Sequence, residues 1–179
     1  MAARNDIIIF KTRNTNTPLS MKQEHINEIK SIIIFAVGVI LLCSLLSFVS
    51  DDLPWIISYP NIPARNWIGI TGAYLAGAMF FTFGFSSYAI VFFLFFWSWI
   101  KFSLRQIKFS TAKLLSSLVF LGVLSSLLAM IGLQDPTERF ERGGITGLLI
   151  SDFLVRYIGS TGAYITLFVF GTLSDDDLP

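Results

Sequence analysis

The sequence predicts an all-α integral membrane protein with four transmembrane helices. Three observations point there. First, 54% of the 179 residues are hydrophobic and only 14% are charged, against roughly 25% in an ordinary soluble domain. Second, the charged residues avoid four long stretches. Third, Gly69-Ile70-Thr71-Gly72 recurs as Gly144-Ile145-Thr146-Gly147, 75 residues later. A soluble monomer of this length would need a charged surface that the chain lacks. The net charge of +1 gives no polyanion signal, so direct nucleic-acid binding is not expected. One cysteine, Cys43, and one histidine, His25, exclude a disulfide framework, a Cys–His catalytic pair and nearly every zinc site.

The elements follow from the gaps between charges. Residues 1–30 form a polar leader with Arg4, Lys11, Arg13, Lys22 and Lys30. It is too long for the n-region of a signal peptide, and no small-x-small cleavage site follows. Met21 is a plausible alternative start. His25 is expected to be solvated there. The first uncharged gap, Ser31–Ser50, has 20 residues, enough for one crossing of a hydrocarbon core about 30 Å thick. Cys43 lies within it as a small apolar packing residue.

The second gap, Asn66–Ile100, has 35 residues. As one helix it would reach about 52 Å, too long for a single upright crossing, and it is too short for two. It divides at Gly84: an interfacial helix over 69–83, then a crossing over 85–102. One long tilted helix is the competing reading. The third gap, Leu114–Gln134, fits a crossing over 114–133. The last, Tyr157–Ser174, has 18 residues. It predicts an interfacial segment over 144–158 and a short crossing over 160–173. The membrane domain is thus 31–173, and 174–179 is an acidic tail.

The leader and the loop with Lys101, Arg105, Lys108 and Lys113 hold nine basic residues. The other two loops hold three, Arg65, Arg139 and Arg142, among acidic neighbours. The positive-inside rule then puts both termini in the cytoplasm. Trp55, Trp67, Trp97 and Trp99 all fall at predicted membrane–water boundaries, where the indole is favoured.

At the 75-residue offset Gly84 also meets Gly159, and eight of the 27 positions 69–95 are identical. An offset that spans two crossings preserves orientation. The chain therefore reads as two parallel helical hairpins, the offset laying the first span on the third. Gly69, Gly72, Gly84, Gly144, Gly147 and Gly159 are the candidate turning and close-packing positions. Asp152 and Arg156, at i and i+4, are a candidate ion pair facing water.

Several segments resemble the N-terminal membrane region of the FtsK/SpoIIIE DNA translocases. They are Leu45-Leu46-Ser47-Phe48 with Ser50-Asp51-Asp52-Leu53-Pro54-Trp55, then Asn66-Trp67-Ile68-Gly69-Ile70-Thr71-Gly72-Ala73-Tyr74-Leu75-Ala76, then Phe80-Phe81-Thr82-Phe83-Gly84. Gly143-Gly144-Ile145-Thr146-Gly147 and Gly159-Ser160-Thr161-Gly162-Ala163 follow in the same order. The resemblance covers about residues 26–171. It implies a division-site anchor in the bacterial inner membrane that tethers and helps oligomerise a motor and contacts other division-site membrane proteins. The motor of that family is an ATPase carrying a phosphate loop. This sequence has no Gly-x-x-x-x-Gly-Lys-Ser/Thr. With no paired carboxylates, nucleophile–base set or metal cluster either, neither catalysis nor a cofactor is expected. The expected partners are the lipid bilayer, further copies of the chain and other division proteins. A small channel or transporter subunit is the alternative, suggested by the broken helices and by Asp152 and Arg156. The abrupt acidic end suggests a truncation or split gene, and with it a fragment without function.

Overall fold

The computed structural model of the chain describes residues 18–103, 111–131 and 135–175. Most of the polar leader, Arg105, Lys108, the end of the predicted third span and most of the acidic tail lie outside the described residues.

The described residues are helical throughout, apart from connections. They form α1 (Pro18–Leu46), α2 (Gly69–Phe83), α3 (Ser87–Phe102), α4 (Thr111–Met130) and α5 (Pro136–Asp175). Three stretches are long and apolar enough to cross a membrane, His25–Leu46, Gly69–Phe102 and Pro136–Leu173. Leu115–Met130 is a shorter apolar helix. Large side chains such as Ile32, Phe92 and Phe168 are exposed. Water would penalise that surface; lipid is as apolar as the side chains it would meet.

Gly69–Phe102 is not one helix. Gly84 has φ +59° and ψ −140°, a conformation that stops α2, and a short 3-10 turn leads into α3. The single tilted helix is therefore excluded. Pro136–Asp175 is likewise interrupted twice, at Gly144 (φ +61°, ψ −170°) and Gly159 (φ +73°, ψ 169°). Gly69 also has positive φ, +72°. Only glycine adopts such backbone without strain. The loop predicted over Asp135–Gly143 is in fact the first helical segment of α5.

The helices pack as two antiparallel pairs. In the first, Ser98 Oγ on α3 donates to the Ser31 carbonyl on α1 at 2.8 Å, and the Phe35 and Phe95 rings lie 5.2 Å apart. Towards the other end of the pair, Tyr88 Oη donates to the Leu45 carbonyl. Gly38 leaves room for the Phe95 ring. In the second pair, Tyr164 Oη on α5 donates to the Met130 carbonyl at the end of α4, and Gly171 lies opposite Val123. Each pair has its own core: Leu45 and Val91 in the first, joined by Ala76 of α2, and Val123, Met130, Ala163 and Leu167 in the second. Small residues at the contacts let backbones approach, the usual basis of helix association where lipid removes the hydrophobic drive.

The 75-residue offset does not extend to α1 and α4. Helix α1 ends at Leu46 and α4 at Met130, an offset of 84. The segment 47–68 before Gly69 is nine residues longer than the segment 131–143 before Gly144. At the longer offset Gly38-Val39 falls on Gly122-Val123.

The two kinds of glycine break give a direct comparison. Gly84 and Gly159 share a glycine-only backbone, but a Cβ on Gly84 would strike the Glu141 and Arg142 carbonyls, whereas one on Gly159 would meet nothing within 4 Å. Both alanine variants carry a strain cost of about 1–3 kcal/mol. Gly84→Ala is expected to lower the thermal unfolding temperature in detergent by more than Gly159→Ala. Equal losses would show that the close contact contributes nothing.

Candidate functional site

In lipid, a helix end that leaves its last carbonyls unpaired is costly, because no water is there to donate to them. The chain answers this at both α1 and α4 with polar side chains from the segment that follows and a tyrosine from the returning helix. At α1, Asn66 Nδ2 donates to the Ser44 carbonyl at 2.8 Å, Ser47 Oγ to the Cys43 carbonyl at 2.6 Å, and Tyr88 to Leu45. At α4, Arg139 Nε donates to the Ala129 carbonyl at 3.1 Å, Arg142 Nη1 to the Ile131 carbonyl just beyond it at 3.0 Å, and Tyr164 to Met130. The end of α2 is treated in the same way, with Ser87 Oγ donating to the Met79 carbonyl at 2.7 Å.

Asn66 is held in place by Asp52, which is fully buried. The Asp52 carboxylate accepts from Asn61 Nδ2 at 2.9 Å, from the Arg65 amide at 3.0 Å and from the Asn66 amide at 2.9 Å. Burial by itself pushes the Asp52 carboxyl up. The Arg65 amide, the Asn61 side chain, the Asn66 amide and the Arg65 charge outweigh that and hold it below its ordinary value. Leu53, beside it, is fully buried against Gly77 of α2. The loop thus folds back onto the small face of α2, formed by Gly72, Ala73, Ala76 and Gly77.

The second junction centres on Ser125 of α4, which is fully buried. Its Oγ donates to the Gly143 carbonyl and lies 3.4 Å from the Phe83 carbonyl. Around it the backbones at 82–84 and 141–144 touch: a Cβ on Gly144 would meet Thr82 O and the amides of Phe83 and Gly84. Gly147 has no room beside Ser125, nor Gly72 beside Asn66 and Ile68. Of the six glycines singled out by sequence, four are therefore packed tight. Gly69 and Gly159 face open space. Among the tryptophans, Trp67 and Trp99 are largely exposed, Trp55 is exposed with its ring edge-on to Tyr74, and Trp97 is half-buried.

Asp152 does not pair with Arg156. Its carboxylate accepts from Arg139 Nη2 instead, and the same guanidinium reaches Ser151 Oγ at 3.2 Å. The reason is reach. Arg139 is anchored on the end of α4, and its fork meets both side chains from there, whereas Arg156 lies exposed beyond them. A groove of about 400 Å³ lies against α4 and α5, lined by Leu118, Val119, Ile150, Leu154, Phe170 and their neighbours, with no ionisable side chain among them. Among the described residues no group of three His, Cys, Asp or Glu could hold a metal ion.

Sequence reasoning missed Asp52, Asn66, Ser125 and Arg139 as positioning residues. Asp52 and Asn66 did lie inside the segments that carry the family resemblance. A charged residue at the end of an apolar span was the available signal.

Replacing Asp52 by Asn turns one acceptor oxygen into a donor facing buried N–H groups, an expected cost of about 1–3 kcal/mol at neutral pH. A carboxylate whose pKa is depressed on folding stabilises fully above its unfolded value, roughly 3.9. That contribution is lost as pH falls through the lower folded value. Thermal unfolding at pH 7 and at pH 3 should therefore show the Asn variant converging on the parent in acid. Arg139→Met, which uncaps α4, is expected to destabilise by about 1.5–3 kcal/mol. Arg156→Gln should stay within about 0.5 kcal/mol of the parent in the same melts.

The comparisons agree with this architecture. The family described as the 4TM region of DNA translocase FtsK/SpoIIIE matches residues 23–174. A DNA translocase FtsK from Rickettsia prowazekii (strain Madrid E) is 27% identical over 135 residues, covering 74% of this chain and 17% of the relative. The chain thus spans under a fifth of that relative's length. No solved structure gives a significant match. The matched region is the membrane domain of the family and not its motor. From Asp52 and Asn66 through the glycine breaks to the last turn of α5, the residues that shape this fold lie within the matched span, and the chain belongs to the FtsK/SpoIIIE 4TM family.

Proposed function

We propose that the chain is the membrane anchor and self-association domain of an FtsK-like DNA translocase, acting at the division septum. The family match over 23–174 carries this reading. The domain crosses the bacterial inner membrane four times with both termini in the cytoplasm, as the nine-to-three split of basic residues between loops favours. Its spans are α1, α3, α4 and the last segment of α5. Helix α2 and residues 145–158 lie at the outer interface, where Trp55 and Trp67 would meet the headgroups.

The two halves form parallel hairpin repeats, each a rising helix, a loop, a glycine-bounded interfacial helix and a descending helix. The matched pairs of positive-φ glycines, 69 with 144 and 84 with 159, support that assignment. So does the recurrence of a tyrosine and a loop side chain capping each rising helix. The domain itself performs no chemistry; it would hold a motor and other division proteins at one place in the membrane. The channel reading has little to support it, since Arg139 is bonded to the end of α4 and to Asp152, and the groove beside α4 is apolar.

A green fluorescent protein fused to the N-terminus tests location and orientation together, because it matures in the cytoplasm but not after export across the inner membrane. In dividing bacteria the fusion is expected to fluoresce as a band at mid-cell. Even fluorescence around the envelope would overturn the septal role. A stably inserted but dark fusion would overturn the orientation.

A further inference from the structure

The four break glycines are used unequally. Gly84 and Gly144 are buried against each other's backbone, while Gly69 and Gly159 have the same positive φ and nothing within 4 Å of a Cβ position. In the repeat, Gly69 corresponds to Gly144 and Gly84 to Gly159. The internal contact therefore joins the tail of the first glycine-bounded helix to the head of the second. If a two-fold axis related the halves, Gly159 would meet Gly69 just as Gly84 meets Gly144. It does not. The contact is heterologous, and a heterologous contact leaves one unused head and one unused tail.

We propose that copies of this chain associate head to tail in the membrane, the Gly159 edge of one copy seating against the Gly69 edge of the next. This continues between chains the interface that Gly84 and Gly144 make within one, and it rests on the parallel-repeat reading above. Copies in one bilayer share the membrane normal, so repetition of the contact builds a row or a ring within the membrane plane, according to the rotation at each seam. Both edges carry apolar side chains open to a partner: Trp67 and Ile70 at the head, Tyr157 and Ile158 at the tail, each 48% or more exposed. The seam between chains differs from the internal one in one respect. Inside, Phe81 and Phe140 stack edge to face at 5.5 Å. At the 75-residue offset Arg156 stands where Phe81 is, and the loop before Gly69 carries Arg65 and Asp51; all three charged residues are exposed. Asp51 of one copy is the carboxylate that Arg156 of the next would meet. The internal seam is aromatic; the outer one is partly ionic.

The test uses the full chain in proteoliposomes, with Cys43→Ser removing the single cysteine. Ile70→Cys and Ile158→Cys are introduced singly and together on exposed positions, then oxidised with a copper–phenanthroline catalyst. The expected result is a cross-linked dimer when the two single variants are mixed, none from either alone, and a ladder of higher species from the double variant. Dimers from a single variant alone would mean an isologous contact and overturn the proposal. So would the absence of cross-links from the mixture, whether native mass spectrometry finds monomers or finds association through another face. Asp51→Arg and Arg156→Asp are each expected to lose the high-mass species, and combining them to restore it. A ladder untouched by either would overturn the ionic seam. Septal location is read separately in cells, so even envelope fluorescence with an intact ladder would fail the division role and leave this proposal standing.

Discussion

At one place in this fold two stretches of main chain meet with no side chain between them. The backbone around Gly84 and that around Gly144 are so close that neither residue has space for a methyl group. Both also hold backbone that only glycine adopts without strain. The rest of the arrangement depends on that contact. It stops α2, turns the chain into α3, and starts the middle segment of α5, all within reach of the Ser125 hydroxyl. A packed helical pair is easily built in lipid. Joining two such pairs needs non-helical backbone, which is tolerated at membrane depth only when buried in protein or lining water. The Gly84–Gly144 contact meets that condition by letting each break cover the other.

The same constraint explains the polar residues. Ser44, Ser87, Ser98, Ser125, Ser126 and Ser151 are buried in a chain whose surface is largely apolar. Their hydroxyls donate to helix carbonyls, either on their own helix or across a contact. Asn66, Arg139 and Arg142 close the ends of α1 and α4, and Asp52 is buried because it organises the loop that presents Asn66. Charge in this protein is used to finish helices. That use accounts for the pairing of Asp152 with Arg139, which reaches it from the end of α4.

Much of this architecture was legible in the sequence. The break at Gly84 followed from a length argument, because 35 uncharged residues fit neither one crossing nor two. Helix α1 continues N-terminal of its apolar stretch and ends at Leu46, short of Ser50, because capping by Asn66 and Ser47 decides where it stops. The offset of 75 located all four positive-φ glycines, yet it misaligned α1 with α4, since identity counts are blind to a nine-residue difference in connection length. The helix over 136–143 was unreadable as such: its mixed charges look like a solvated loop until Arg139 and Arg142 are seen bonding back to α4.

What the sequence determined by itself is the solvent and the rhythm: an apolar chain in which charge, tryptophan and paired glycines mark where helices start, break and end. Those features are local, and hydrophobicity and backbone freedom act locally. What only the tertiary structure decided is which breaks face each other. Gly84 and Gly159 are alike in sequence context and in φ, but one is sealed against Gly144 and the other is bare. That difference depends on which distant segments the chain brings together, a relation that no residue encodes on its own.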